Sequence, residues 1–174
     1  MVGQYDRVLS LMGLYQMDPS PKVFKDPVLG LTYMIFPAGH TVHRGYNSKQ
    51  KEGLPKFYSM NKGFASKYGD VLDYVTTRDL LLVENHYTVD QEHCCLKNGV
   101  ILYNLAIAKG KPDVAYAIEQ HMILLEPTDS DVFELDTKIA VFLCELGYDG
   151  WIRLSEYGVT DEVLLCNDSS VARN

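Results

Sequence analysis

DVFELDTKIAVFLCELGYDGWIRL, residues 131–154, is read first as a helix and then as a strand, and that change of pattern sets the fold class. Val132, Leu135, Ile139, Phe142, Leu143 and Leu146 recur at helical spacing and form one apolar stripe. Gly147 closes the helix, since the residue after a helix often takes a left-handed conformation that costs glycine least. Past the Tyr148-Asp149-Gly150 turn, GWIRL (150–154) is apolar and extended, with the single tryptophan, Trp151, as a core anchor. A helix with one apolar face beside such a strand predicts a helix packed on a sheet.

Working outward, EVLLC (162–166) predicts a second closing strand, and the polar tail from about 168 to 174 is expected to be flexible. Upstream, LTYMIF (31–36), TVHR (41–44), KFYS (56–59), residues 71–77 and LLLVE (80–84) are short, β-branched or aromatic runs that read as strands. NKGFASKY (61–68) predicts a short helix closed by Gly69. Helices are also predicted over residues 1–20, over Asp90–Lys109 and from Pro112 to Leu125, so that residues 90–125 form a helical insertion between strands. Strands and helices do not alternate regularly, which favours an α+β fold with a mixed or antiparallel sheet over a doubly wound parallel one.

At 174 residues, 47% hydrophobic and 22% charged, the chain fits one domain, 1–174, able to bury a core unaided. A net charge of -7 argues against binding nucleic acid through general positive charge. The early Asp6 and Arg7 break any apolar N-terminal run, so neither a signal peptide nor a membrane span is expected. Cys94 and Cys95 adjoin each other, while Cys144 and Cys166 lie in apolar runs. Reduced thiols in a cytoplasmic or nuclear protein are the expectation. His86, His93, Cys94 and Cys95 lack a second ligand pair at metal-site spacing, so no metal is expected.

Three segments carry chemistry. VHRGY (42–46) ends a strand with Arg44, whose guanidinium suits oxygen pairs, beside Gly45, which lets a ligand approach the backbone. FYS (57–59) supplies the hydroxyl of Ser59 and the ring of Tyr58, and the following helix supplies Tyr68 for stacking. Glu162 opens the last strand, where a rigidly held carboxylate can stabilise a developing cation. Each segment alone is equally an ordinary surface cation and turn, a strand followed by a capping serine, or a solvated acidic edge.

Together, HRG (43–45), FYS with Ala65 and Tyr68-Gly69, and GYDGWI followed by EVLLC resemble the ADP-ribosyltransferase superfamily over about residues 41–167. In that family three sheet segments supply an Arg or His, a Ser or Tyr, and a Glu in chain order. The resemblance implies the ADP-ribosyltransferase-like split sheet with flanking helices, NAD as co-substrate, and transfer of ADP-ribose to a protein or small-molecule acceptor or to water. It implies catalytic roles for Arg44, Ser59 and Glu162, with Arg44, Gly45, His43, Tyr58 and Tyr68 contacting NAD. His43 in place of Arg44 would give the His-Tyr-Glu pattern instead, although Ser59 occupies the second position. Thr160 stands where arginine-modifying members carry an acid or glutamine, so the resemblance does not extend to arginine as acceptor. A relative that keeps the fold but only binds a nucleotide or a protein is the alternative. The insertion 90–125 is where acceptor specificity is expected.

Overall fold

The computed structural model describes residues 22–46, 55–85, 87–89, 94–96, 98–123, 129–153 and 162–174. Among them, the chain forms a nine-stranded sheet, a two-stranded hairpin and four α-helices, an α+β architecture. The strands are β1 (Lys22–Lys25), β2 (Thr32–Phe36), β3 (Thr41–Tyr46), β4 (Lys56–Ser59), β5 (Asp70–Thr76), β6 (Leu80–Glu84), β7 (Tyr87–Val89), β8 (Cys94–Leu96), β9 (Gly150–Arg153), β10 (Glu162–Leu165) and β11 (Val171–Arg173). The helices are α1 (Lys62–Ala65), α2 (Gly99–Ala108), α3 (Pro112–Ile123) and α4 (Asp129–Glu145).

Strand order in the large sheet is β1-β2-β6-β9-β10-β4-β3-β5-β11. Every neighbouring pair is antiparallel except β6 and β9, which run parallel. A parallel pair cannot be joined by a tight turn, and the chain between β6 and β9 contains α2, α3 and α4. These helices pack on one face, where Ile118, Ile139, Phe142 and Leu143 close over Val83, Trp151 and Leu164. The opposite face holds a second cluster of Met34, Phe36, Val42, Tyr58, Leu80, Leu82, Ile152, Val163 and Leu165. Consecutive residues such as Trp151 and Ile152, or Val163 and Leu164, thus enter different clusters, the signature of strands buried on both sides.

Gly150 is required where β9 meets β10. Its φ is 148°, and a Cβ there would collide with the carbonyl oxygen of Leu164. Arg78 and Asp149 tie the β5–β6 turn to the start of β9 through two contacts of 2.6 and 3.0 Å, and Asp149 also accepts the Leu81 N–H at 2.8 Å. The strands expected at 31–36, 41–44, 56–59, 71–77, 80–84, 150–154 and 162–166 are present as β2, β3, β4, β5, β6, β9 and β10, and the expected helices as α1, α3 and α4.

Three expectations are corrected. Residues 94–96 form β8, paired with β7, and the helix begins only at Gly99. Asn98 stops it there: it adopts φ 67° and its side chain binds the Thr32 N–H and the carbonyls of Thr32 and Glu84, bridging β2 and β6. The C-terminal tail is ordered as a 3₁₀ turn and β11, because its backbone pairs with β5 and Val171 is buried at 8% exposure. Cys144 and Cys166 are not separate thiols. They are disulfide-bonded, with Cα atoms 6.3 Å apart, joining α4 to the end of β10. The helix expected over residues 1–20 lies outside the described residues, and among the described residues no helix is long and apolar enough to cross a membrane.

His40 is buried at 2% exposure, its ring 4.7 Å from that of Phe36, and its Nε2 has no hydrogen-bond partner among the described residues. Desolvation holds its pKa below the ordinary value of 6.5. The folded chain therefore binds this proton less readily than the unfolded chain, and stability from neutral His40 is lost as pH falls below 6.5. Denaturant titrations of the wild type from about pH 7.5 to pH 5 should show decreasing stability, with a shallower slope in His40→Phe. Equal slopes would show that His40 does not contribute.

Candidate functional site

Five adjacent strands set five polar residues in one line across the sheet. The Cα register pairs Asp73 on β5 with His43 on β3, His43 with Ser59 on β4, Ser59 with Glu162 on β10, and Glu162 with Arg153 on β9. Residues directly opposite in a sheet share a face, so these side chains rise from the same surface, the one that α4 covers farther along. Phe57, Leu164 and Trp151, two residues behind Ser59, Glu162 and Arg153, are packed in the helix-side core. The row stands where that core gives way to polar residues.

Its two ends are braced by charge. At one end His43 Nδ1 lies 2.7 Å from Asp73 Oδ1, and Lys62 Nζ on α1 is 3.7 Å from the other Asp73 oxygen. The hydrogen bond from His43 is the main reason that the Asp73 carboxyl sits below its ordinary pKa. At the other end Arg153 Nη2 grips both oxygens of Asp136 on α4, at 2.9 and 3.0 Å, and Arg153 Nη1 lies 3.7 Å from Glu162. The guanidinium also sits 4.8 Å from the Trp151 ring centroid. Asp136 is 1% exposed, and the Asn85 side-chain N–H₂ approaches its carboxylate at 3.5 Å.

Ser59 and Glu162 occupy the middle. Ser59 is buried at 4% exposure, and its oxygen accepts the Asn61 N–H at 2.9 Å. Asn61 in turn caps α1 by accepting the Phe64 N–H at 3.0 Å. The turn that follows β4 therefore both orients the serine and starts the helix.

The register separates the residues proposed from sequence. His43, Ser59 and Glu162 are brought together. Arg44, one position along, projects to the opposite face, as does Tyr58. Tyr58 is 3% exposed, edge-on to Tyr74 at 5.3 Å, and burial raises its hydroxyl to about pKa 12. It is a core residue, not a platform for a ligand ring. Gly45 shares the face of His43, and a Cβ there would strike the Ala65 carbonyl oxygen and the Tyr68 Cβ, so glycine allows α1 to lie against β3. Tyr68 is 51% exposed at the edge of that contact, its ring 5.5 Å from Phe64.

Sequence reasoning missed Asp73, Arg153 and Asp136. The strongest overlooked signal was Asp136, a carboxylate that follows Val132 by four residues and precedes Ile139 by three, on the apolar stripe of α4. Among the described residues no group of three or more His, Cys, Asp or Glu is placed to hold a metal ion. Chemically, the row offers a fixed imidazole, a hydroxyl donor and a carboxylate beside an arginine, a set suited to gripping hydroxyl groups and stabilising a positive charge that develops above Glu162. No protein-family model, curated protein or solved structure matches the chain.

Removing the charge of Asp136 leaves Arg153 half-buried with its strongest partner gone. Asp136→Asn is expected to lower unfolding stability by about 3 kcal/mol, measured by urea denaturation. A loss near that of a surface substitution, about 0.5 kcal/mol, would show that the pair does not hold α4 to the sheet.

Proposed function

We propose that the row is the active site of an NAD-dependent ADP-ribosyltransferase or NAD glycohydrolase in which His43, Ser59 and Glu162 act together. The observation that carries this reading is the register of these three residues, one on each of three adjacent strands and all on one face. It matches the order in which the resembled family arrays its site residues, with His43 rather than Arg44 in the first position. The ADP-ribosyltransferase-like version of the sheet is part of the same proposal.

NAD is a substrate in this scheme. The bond between nicotinamide and ribose breaks, nicotinamide leaves with the bonding electrons, and the ribose is left as an oxocarbenium ion. Glu162 stabilises that cation electrostatically and holds a ribose hydroxyl. The Ser59 hydroxyl orients the carboxylate, and Arg153 limits where it can swing. An acceptor hydroxyl, amine or water then adds to the cationic carbon and loses its proton. A protein or a small molecule is the favoured acceptor class, because the acidic chain does not attract a polyanion. Fixed dipoles and charges are well suited to this chemistry, in which the catalyst mainly positions groups and stabilises charge.

A catalytically silent binding module is the second reading, and one observation favours it. Arg44, which the Arg-Ser-Glu pattern places on the substrate, is on the far face of the sheet.

Nicotinamide release from NAD by the purified chain separates the two. Glu162→Gln is expected to lower release by about a hundredfold or more with an unchanged circular dichroism spectrum. NAD binding by the wild type without release would establish the silent module, and neither binding nor release would refute both the transferase and a module that binds NAD.

A further inference from the structure

We infer that Asp73 is a positioning residue that fixes the His43 ring in its Nδ1–H form and aims Nε2, as a hydrogen-bond acceptor, toward the ligand side of the row. This builds on the reading of the row as an NAD site, although the state of the ring can be tested without it.

His43 and Asp73 are register partners on β3 and β5, strands that pair over six residues from Thr41 to Tyr46. Their backbones are held by the sheet, and the 2.7 Å contact between Nδ1 and Oδ1 needs no movable loop. A carboxylate at that distance accepts a hydrogen bond from Nδ1–H, and the bond made by one ring nitrogen decides the protonation of the other.

Asp73 is itself oriented. Lys62 Nζ lies 3.7 Å from its second oxygen, so one oxygen faces the lysine while the other faces the imidazole. Lys62 is the first residue of α1, the helix whose close approach to β3 depends on Gly45. The small helix thus braces His43 through Asp73 and seals the strand beside it. With Nδ1 engaged, neutral His43 offers only the Nε2 lone pair, which selects a ligand group that donates a hydrogen bond, such as a hydroxyl or an amide N–H, over an anionic oxygen. The pair is distinct from the brace at the other end of the row, where Arg153 and Asp136 act on Glu162.

The experiment has two arms. In the nitrogen-15-labelled full chain, long-range proton–nitrogen spectra at about pH 8, above the ordinary histidine range, report which ring nitrogen of His43 carries the proton. The signals are assigned by their loss in His43→Gln. Wild type should show Nδ1–H, and Asp73→Ala should shift the ring toward Nε2–H. Asp73→Asn, which preserves shape, guards against a packing defect, and amide spectra verify the fold of each variant. In the second arm, calorimetry with NAD should show binding weakened by about tenfold in Asp73→Ala, the scale of one hydrogen bond. The same substitution in a His43→Gln background should have no further effect, because Asp73 acts through His43.

An unchanged Nδ1–H ring in Asp73→Ala, or an equal loss of affinity in both backgrounds, overturns the inference. If the wild type does not bind NAD, the proposed function fails, and the ring spectra alone decide the role of Asp73: a shift in the variant upholds it and no shift refutes it.

Discussion

The central strand β10 carries one carboxylate followed by three buried aliphatic residues, and their alternation pins its register against both neighbours. Val163 and Leu165 enter one core cluster and Leu164 the other, so a slip by one residue would exchange their faces and turn Glu162 to the wrong side. The pairings Glu162 with Ser59 and Glu162 with Arg153 follow from that constraint. Burying those three side chains at 1% exposure or less fixes where the acidic group stands. The site is in this sense a consequence of core packing: the same side-chain alternation that hides the aliphatic residues lines up the polar ones.

Helix α4 links the core to the row. Ile139, Phe142 and Leu143 bury against Trp151 and Leu164, while Asp136, one turn earlier, meets Arg153 at the row's end. Trp151 contributes on both counts, packing edge-on against Phe57 at 5.8 Å and lying beneath the guanidinium. Farther along the helix, the Cys144–Cys166 disulfide ties α4 to the other end of β10. The strand that carries Glu162 is thereby restrained at both ends, at one through the contact of Glu162 with Arg153, which Asp136 of α4 holds, and at the other covalently. A carboxylate asked to stabilise a brief positive charge benefits from such restraint, because it need not reorganise as the charge appears.

At the opposite end the restraint comes from a four-residue helix. α1 has little intrinsic stability at that length, and it is held by the Asn61 cap, the contact with Gly45 and the reach of Lys62 to Asp73. Two braces of different construction, a long helix and a short capped one, stand on either side of Ser59 and Glu162.

How much of this was legible in the sequence differs by level. Helical spacing over residues 131–146 and the short β-branched and aromatic runs determined the secondary structure and the α+β class, because periodicity is a local property of the chain. The same local reading failed at Asn98, where a side chain bonding two distant strands delays the helix, and at Val171, where pairing with β5 orders a polar tail. Ser59 and Glu162 could be nominated from their positions at strand ends. The choice between His43 and Arg44 could not, since adjacent strand residues are equivalent until a partner strand defines which face each occupies. Asp136 was marked by its place on the apolar stripe of α4, but its partner was not, and the roles of Asp73 and Arg153 were out of reach for the same reason: the paired residues lie 30 and 17 positions apart in sequence, and only the folded sheet and the helix above it bring the charges together.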